Sequence, residues 1–114
     1  MFFKFKYLFI VFMFFSCSQK TLYYWGKYPH TLYDYTKKLD IDSFDRHKEE
    51  LENMINKSNR FNIRVAPGIN AELGYMYLNS GDKKTAVQFF QKEVILYPES
   101  GSFLNQYIDK LLGE

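Results

Sequence analysis

The sequence contains one cysteine, two histidines and three prolines among its 114 residues. A single cysteine excludes an internal disulfide. The histidines, His30 and His47, lie 17 positions apart with no third ligand beside them, whereas a zinc site needs three or four ligands. We therefore predict no metal and no cofactor, and we interpret both histidines as solvent-exposed residues on helix surfaces.

An excess of charge of either sign is also missing. The chain carries 15 basic and 13 acidic residues, and Lys4 and Lys6 supply the whole difference. The remainder of the sequence is balanced, which argues against a nucleic-acid partner because such proteins normally present a basic footprint.

No apolar run is long enough to cross a membrane. Residues 7–15 are entirely apolar, but a spanning helix needs about 20 such residues. Two lysines followed by a short apolar run are typical of a signal peptide, which we predict over residues 1–16.

The signal peptide ends at Ser16-Cys17, a junction that resembles the lipobox of bacterial lipoproteins. The resemblance implies acylation of Cys17, for example with palmitate, and residues 17–22 are then a lipidated cysteine and short tether. Ser18 in place of an aspartate implies sorting to the outer membrane, facing the periplasm. The alternative is an ordinary signal peptide followed by an incidental free thiol.

Motifs for catalysis are not found. The sequence has no Gly-rich phosphate loop and no G-x-S-x-G element. Residues 40–45, "DIDSFD", weakly resemble a calcium loop but lack its glycine and its terminal glutamate, so we interpret them as a helix cap with Asp42 at the N-cap. An acylated Cys17 cannot act as a nucleophile. We therefore predict that the protein is not an enzyme and takes no small-molecule substrate.

Helical patterns fill residues 23–114. A short helix is predicted over residues 30–38, an amphipathic helix within residues 40–58 and a loop over 59–68. Residues 69–100 show the pattern of a tetratricopeptide repeat, a unit of about 34 residues made of two helices. Gly74 and Ala86 are small where the two helices should approach, and Gly81-Asp82 lies between them. Asn70 and Glu93 depart from that repeat pattern.

The C-terminal residues form a further amphipathic helical pattern. Together these patterns predict an all-α domain of about five helices arranged as tetratricopeptide-like hairpins.

An aromatic cluster precedes these helices and consists of Tyr23, Tyr24, Trp25 and Tyr28. It is compatible with packing onto the helices, with recognition of a protein partner or a sugar, and with contact to lipid headgroups. We favour packing and leave the other two open.

Residues 22–114 resemble the small bacterial lipoproteins of domain of unknown function 4810. Members are typically encoded beside a lipoprotein similar to the curli secretion channel, which implies a part in export or envelope assembly, and Glu93 fits this family. The residues that carry the resemblance are Tyr24, Trp25, Gly26, Tyr28, Pro67, Gly68, Glu72, Gly74, Tyr75, Gly81, Ala86, Phe90, Glu93, Pro98, Glu99 and Ser100.

These observations favour a lipid-anchored interaction or assembly module whose partners include a curli-channel-like lipoprotein. The aromatic cluster is one candidate contact, and the concave side of the helical array is the other, with Asn70, Tyr75, Tyr77 and Lys84 as candidates. The alternative is a glycan- or peptidoglycan-binding lipoprotein that uses the aromatic cluster.

Substitution Cys17→Ser tests the anchor. If Cys17 carries the lipid, the variant should leave the membrane fraction on centrifugation. Two or three long acyl chains anchor a protein stably in a bilayer, and the substitution removes the residue to which they are attached. Unchanged fractionation of Cys17→Ser beside the wild-type protein would contradict lipidation.

Overall fold

The structure, a computed structural model, describes residues 22–113. This part of the chain is all-helical and contains no strand, which confirms the predicted fold class. The predictions for the signal peptide and for Cys17 lie outside the described residues. The elements, in chain order, are α1 (Tyr28–Lys38), α2 (Ile41–Arg60), α3 (Ile69–Asn79), α4 (Lys83–Leu96), a 3-10 turn (Pro98–Ser100) and α5 (Gly101–Gly113).

The N-terminus of α2 differs by two residues from the prediction. Asp40, not Asp42, is the N-cap, and its side chain accepts a hydrogen bond from the Ser43 N–H at 2.8 Å. Asp42 lies in the first turn instead, where a negative charge still interacts favourably with the helix dipole. Both aspartates are good caps by type, so the sequence alone did not separate them.

The turn between α3 and α4 forms as predicted. Gly81 has φ of +86°, a left-handed conformation that favours glycine. Asp82 caps α4 by accepting a hydrogen bond from the Thr85 N–H at 3.1 Å. The two helices are therefore antiparallel neighbours.

Small residues bring α3 and α4 into close contact. A Cβ atom on Gly74 would lie 2.8 Å from Cε1 of Phe90 and 3.0 Å from the backbone oxygen of Ala86. Gly74, Ala86 and Phe90 are all buried. The predicted close approach is confirmed, with the Phe90 ring beside the glycine.

The core consists of two groups of buried side chains. Tyr77 packs against both groups, so the hairpins form a continuous stack. The first group, between α2 and α3, is Leu51, Met54, Val65, Ala66, Ile69, Leu73 and Met76. The second, between α4 and α5, is Ala86, Val87, Phe90, Leu104 and Ile108.

Substitution Gly74→Ala should destabilise the fold by about 1–3 kcal/mol, because overpacking a tight contact displaces its neighbours. The measurement is the free energy of unfolding in urea. Gly113→Ala is the control, because a Cβ there meets no atom within 4 Å. Equal stability of the two variants would contradict the close-packed contact.

Candidate functional site

The aromatic cluster is fastened to α2. The Tyr24 ring meets the Phe61 ring edge-on at a centroid distance of 6.0 Å. The Lys27 N–H donates a hydrogen bond to Oε1 of Glu50 at 2.9 Å. Trp25 lies 5.5 Å from the Tyr28 ring and is still 43% exposed. Three of the four predicted cluster residues are half-buried, so much of their surface is used in packing.

A partly buried hydrogen-bonded network links α1, α2 and α3. Glu72 of α3 accepts a bond from the Tyr28 hydroxyl at 2.8 Å, and its other oxygen lies 2.6 Å from Nε2 of His47. His47 Nδ1 lies 2.9 Å from the Thr31 hydroxyl. We call these four residues, Tyr28, Thr31, His47 and Glu72, the Glu72 network.

The expectation that His47 is solvent-exposed is wrong, because its exposure is 0%. The residue lies on the buried face of α2, in one row with Ser43, Leu51, Met54 and Ser58. This spacing of three or four residues is the period of a helix face. The position of His47 in this row therefore indicates burial, whereas its residue type alone suggests a solvent-exposed side chain.

The Glu72 network contains a hydroxyl, an imidazole and a carboxylate in a chain, an order found in hydrolases. Two features favour a structural role. The imidazole has no exposed surface for a substrate to reach. The Thr31 hydroxyl lies 3.2 Å from the Tyr28 carbonyl oxygen of its own helix, where it donates a hydrogen bond. We interpret the network as a link between helices.

The network also changes the acidity of Tyr28. Burial and, next, the hydrogen bond to Glu72 raise the pKa of Tyr28 from 10 to about 12. The neutral phenol is therefore the form that the folded protein stabilises.

The concave-side candidates on α3 divide into buried and exposed positions. Asn70 is buried, so its side chain does not contribute to a surface. Tyr75 is exposed. Tyr77 is half-buried: its hydroxyl donates to Oε1 of Glu52 at 2.7 Å, and its ring stacks on Phe89 at 5.4 Å. Of these three residues, Tyr75 alone presents most of its side chain.

The contacts of Glu93 explain why this position departs from the tetratricopeptide pattern. Its side chain is buried in α4, and Oε1 accepts a hydrogen bond from the Gly68 N–H at 2.8 Å. Gly68 is the N-cap of α3 and has no side chain that can cap the helix. Glu93 therefore supplies this polar contact from the neighbouring helix.

A shallow groove of about 470 Å³ lies between α4 and α5. Lys84, the remaining concave-side candidate, lies at this groove. Phe103, at the other end of α5 from Leu111 and Leu112, is 71% exposed. The lining residues are Lys83, Lys84, Val87, Gln88, Gln91, Leu111 and Leu112.

Residues 22–113 contain neither a cluster of metal ligands nor a helix that could span a membrane. No group of three or more histidine, cysteine or carboxylate side chains is arranged to hold a metal ion. No helix in the same range combines the length and the hydropathy required to cross a membrane.

The fold defines the chain as an all-α protein of stacked helical hairpins. Residues 22–107 match the family model described as domain of unknown function (DUF4810), and the chain belongs to that family. No curated protein and no solved structure matches the chain.

Substitution Tyr28→Phe should reduce stability by about 1 kcal/mol at neutral pH, because one hydrogen bond to Glu72 is lost. The unfolded tyrosine ionises near pH 10 and the folded one near pH 12. The stabilisation of the folded protein by the neutral Tyr28 hydroxyl is therefore complete below pH 10 and is lost as the pH rises toward 12. The variant should show a shallower alkaline decline in its free energy of unfolding.

Tyr33→Phe is the matched control on the same helix, because Tyr33 is exposed and bonds only to Lys37. Part of the alkaline decline in the free energy of unfolding persists in Tyr28→Phe, because the pKa values of Tyr77 and Tyr97 are also raised to about 12. The same stability and the same alkaline decline in both variants would refute the role given to the Glu72 network.

Proposed function

We propose that the protein is a lipid-anchored interaction module of the bacterial outer membrane, held through Cys17 and facing the periplasm. It would assemble with other envelope lipoproteins, including one similar to the curli secretion channel. Support comes from the signal-peptide pattern, the Ser16-Cys17 junction and the family membership.

The observation that carries the proposal is the apolar surface that α5 leaves exposed. Leu104 and Ile108 bury one side of this helix against α4. Phe103 and Leu112 stay exposed on the two flanks of that buried side, about half a turn apart around the helix axis. In a hairpin stack the next helix normally covers such surface. We infer that a partner protein covers it in the assembled complex.

The groove between α4 and α5 combines charge with apolar surface. Lys83 and Lys84 line it from the start of α4, while Val87, Leu111 and Leu112 supply the apolar surface. An amphipathic helix with acidic residues along one edge would match both features, in the manner of helix-in-groove recognition.

The glycan alternative has weaker support. Stacking on sugars needs open aromatic faces, but Tyr23, Tyr24 and Tyr28 pack against the first core group. Trp25 alone among the cluster keeps a large exposed area. Binding of a polysaccharide through this cluster is therefore the second candidate.

Substitution Phe103→Asp should remove the partner from the protein during affinity purification from detergent-solubilised membranes. A charge on an apolar contact surface costs about 2–4 kcal/mol of binding energy, enough to reduce the recovered channel-like lipoprotein about tenfold or more.

Ile41→Asp is the matched control. Ile41 has a similar exposure and also lies near a helix N-terminus, where an added acid is tolerated. The proposal fails if the wild-type protein purifies without partners, or if both variants lose the partner equally.

A further inference from the structure

The end of the molecule that carries the aromatic cluster is basic, although the chain as a whole is nearly neutral. Residues 53–71 contain Lys57, Arg60 and Arg64 and no acidic residue. Residues 22–33 contain Lys27, again with no acidic residue. The two stretches meet in space where the Tyr24 ring contacts the Phe61 ring.

Large apolar side chains are exposed at the same place. Phe61 is 54% exposed at the C-terminal end of α2, between the exposed Arg60 and Arg64. On the neighbouring segment, Trp25 and Leu22 are exposed as well. We call this surface the basic aromatic patch, and its members are Leu22, Trp25, Lys57, Arg60, Phe61 and Arg64.

The cations of the patch have no carboxylate partners. Within residues 22–113 the ion pairs are His30–Asp34 and His47–Glu72. The guanidinium of Arg64 lies 5.0 Å from the centre of the Tyr97 ring. Lys57, Arg60 and Arg64 are therefore available to an external anion. Phe61 beside them, and Trp25 on the neighbouring segment, offer exposed apolar surface.

The distance to the expected anchor restricts what can lie against this surface. Only five peptide units separate Cys17 from Leu22, and a fully extended chain of that length spans at most about 18 Å. An acylated Cys17 would therefore hold Leu22, the first member of the patch, within this distance of the bilayer surface.

We propose that the basic aromatic patch rests on the membrane, with Trp25 and Phe61 in the headgroup region and Lys57, Arg60 and Arg64 against anionic lipid phosphates. Tryptophan prefers this interfacial depth, and cations near an anionic lipid surface are attracted to it. The proposal rests on the Cys17 anchor of the proposed function. It adds an orientation, in which the first hairpin meets the lipid.

The orientation is compatible with a free face on α5. That helix packs on α4 and on the 3-10 turn but not on α1 or α2. The membrane contact and the partner surface would therefore use different parts of the hairpin stack.

The experiment exploits the fact that Trp25 is the only tryptophan of the chain. The full lipidated protein is reconstituted in phosphatidylethanolamine–phosphatidylglycerol vesicles that contain a brominated phosphatidylcholine. Bromine quenches only a tryptophan that reaches the bilayer, so Trp25 emission should fall about twofold if the ring lies at the interface. The reference is the same protein in unbrominated vesicles.

The position control is the double variant Trp25→Phe/Phe103→Trp, whose tryptophan lies on α5 and should be quenched little. The patch itself is tested by Phe61→Ser, matched by Phe103→Ser, and by Arg60→Gln/Arg64→Gln. Phe61→Ser and the arginine variant should weaken the quenching of Trp25, whereas Phe103→Ser should not. The arginine variant keeps the test valid if Phe61→Ser does not fold, as judged by circular dichroism.

Three results would overturn the proposal. Quenching of Trp25 no stronger than that of the tryptophan on α5 would exclude contact with lipid while leaving the anchor intact. Shielding of Trp25 from acrylamide without quenching by bromine would assign the patch to a protein partner. Failure of the wild-type protein to float with the vesicles would refute the anchor itself, and with it the orientation.

Discussion

The bond between His47 and Glu72 fixes the arrangement of the first three helices. One carboxylate binds the Tyr28 hydroxyl of α1 and the imidazole of α2, so three separate stretches of sequence depend on it. A buried imidazole without partners would be costly, because polar groups removed from water need hydrogen bonds. The network also determines where Trp25 lies, since α1 begins only three residues later. The surface at that end of the molecule is therefore a consequence of an interaction inside it.

Close packing of side chains continues the stack beyond α3. Gly74 allows the Phe90 ring to lie directly against the α3 backbone. Tyr77 then contacts both core groups, while Glu52 holds its hydroxyl. This combination explains why one hairpin with tetratricopeptide-like spacing can be stable beside an irregular first hairpin: Tyr77 and the Glu72 network supply the contacts that a regular neighbouring repeat would provide.

Periodicity and turn chemistry predicted the all-α class, the Gly81-Asp82 turn and the contact of Gly74 with the second helix. The misses have physical reasons. The first helix begins at Tyr28 and not at residue 30, because Pro29 lies in its first turn, where the missing N–H has no cost. Asn70 was placed on the concave surface, whereas it is buried at the start of α3. The partners of His47 lie 16 and 25 positions away in the chain, and no local pattern joins residues so far apart.

The two proposed surfaces differ in chemistry, and this difference bears on orientation. The basic aromatic patch combines cations with rings of interfacial character, which suits a lipid surface. The surface of α5 exposes Phe103 and Leu112 on its two flanks, and Leu112 lines a groove that also contains two lysines, which suits an amphipathic helix. A single lipid anchor would leave the domain free to rotate about its tether. Contact of the patch with the headgroups would remove most of that freedom, and the α5 face would then be held away from the bilayer. Because less rotational freedom remains to be lost when a partner binds, such an orientation would strengthen assembly without any additional contact between the proteins.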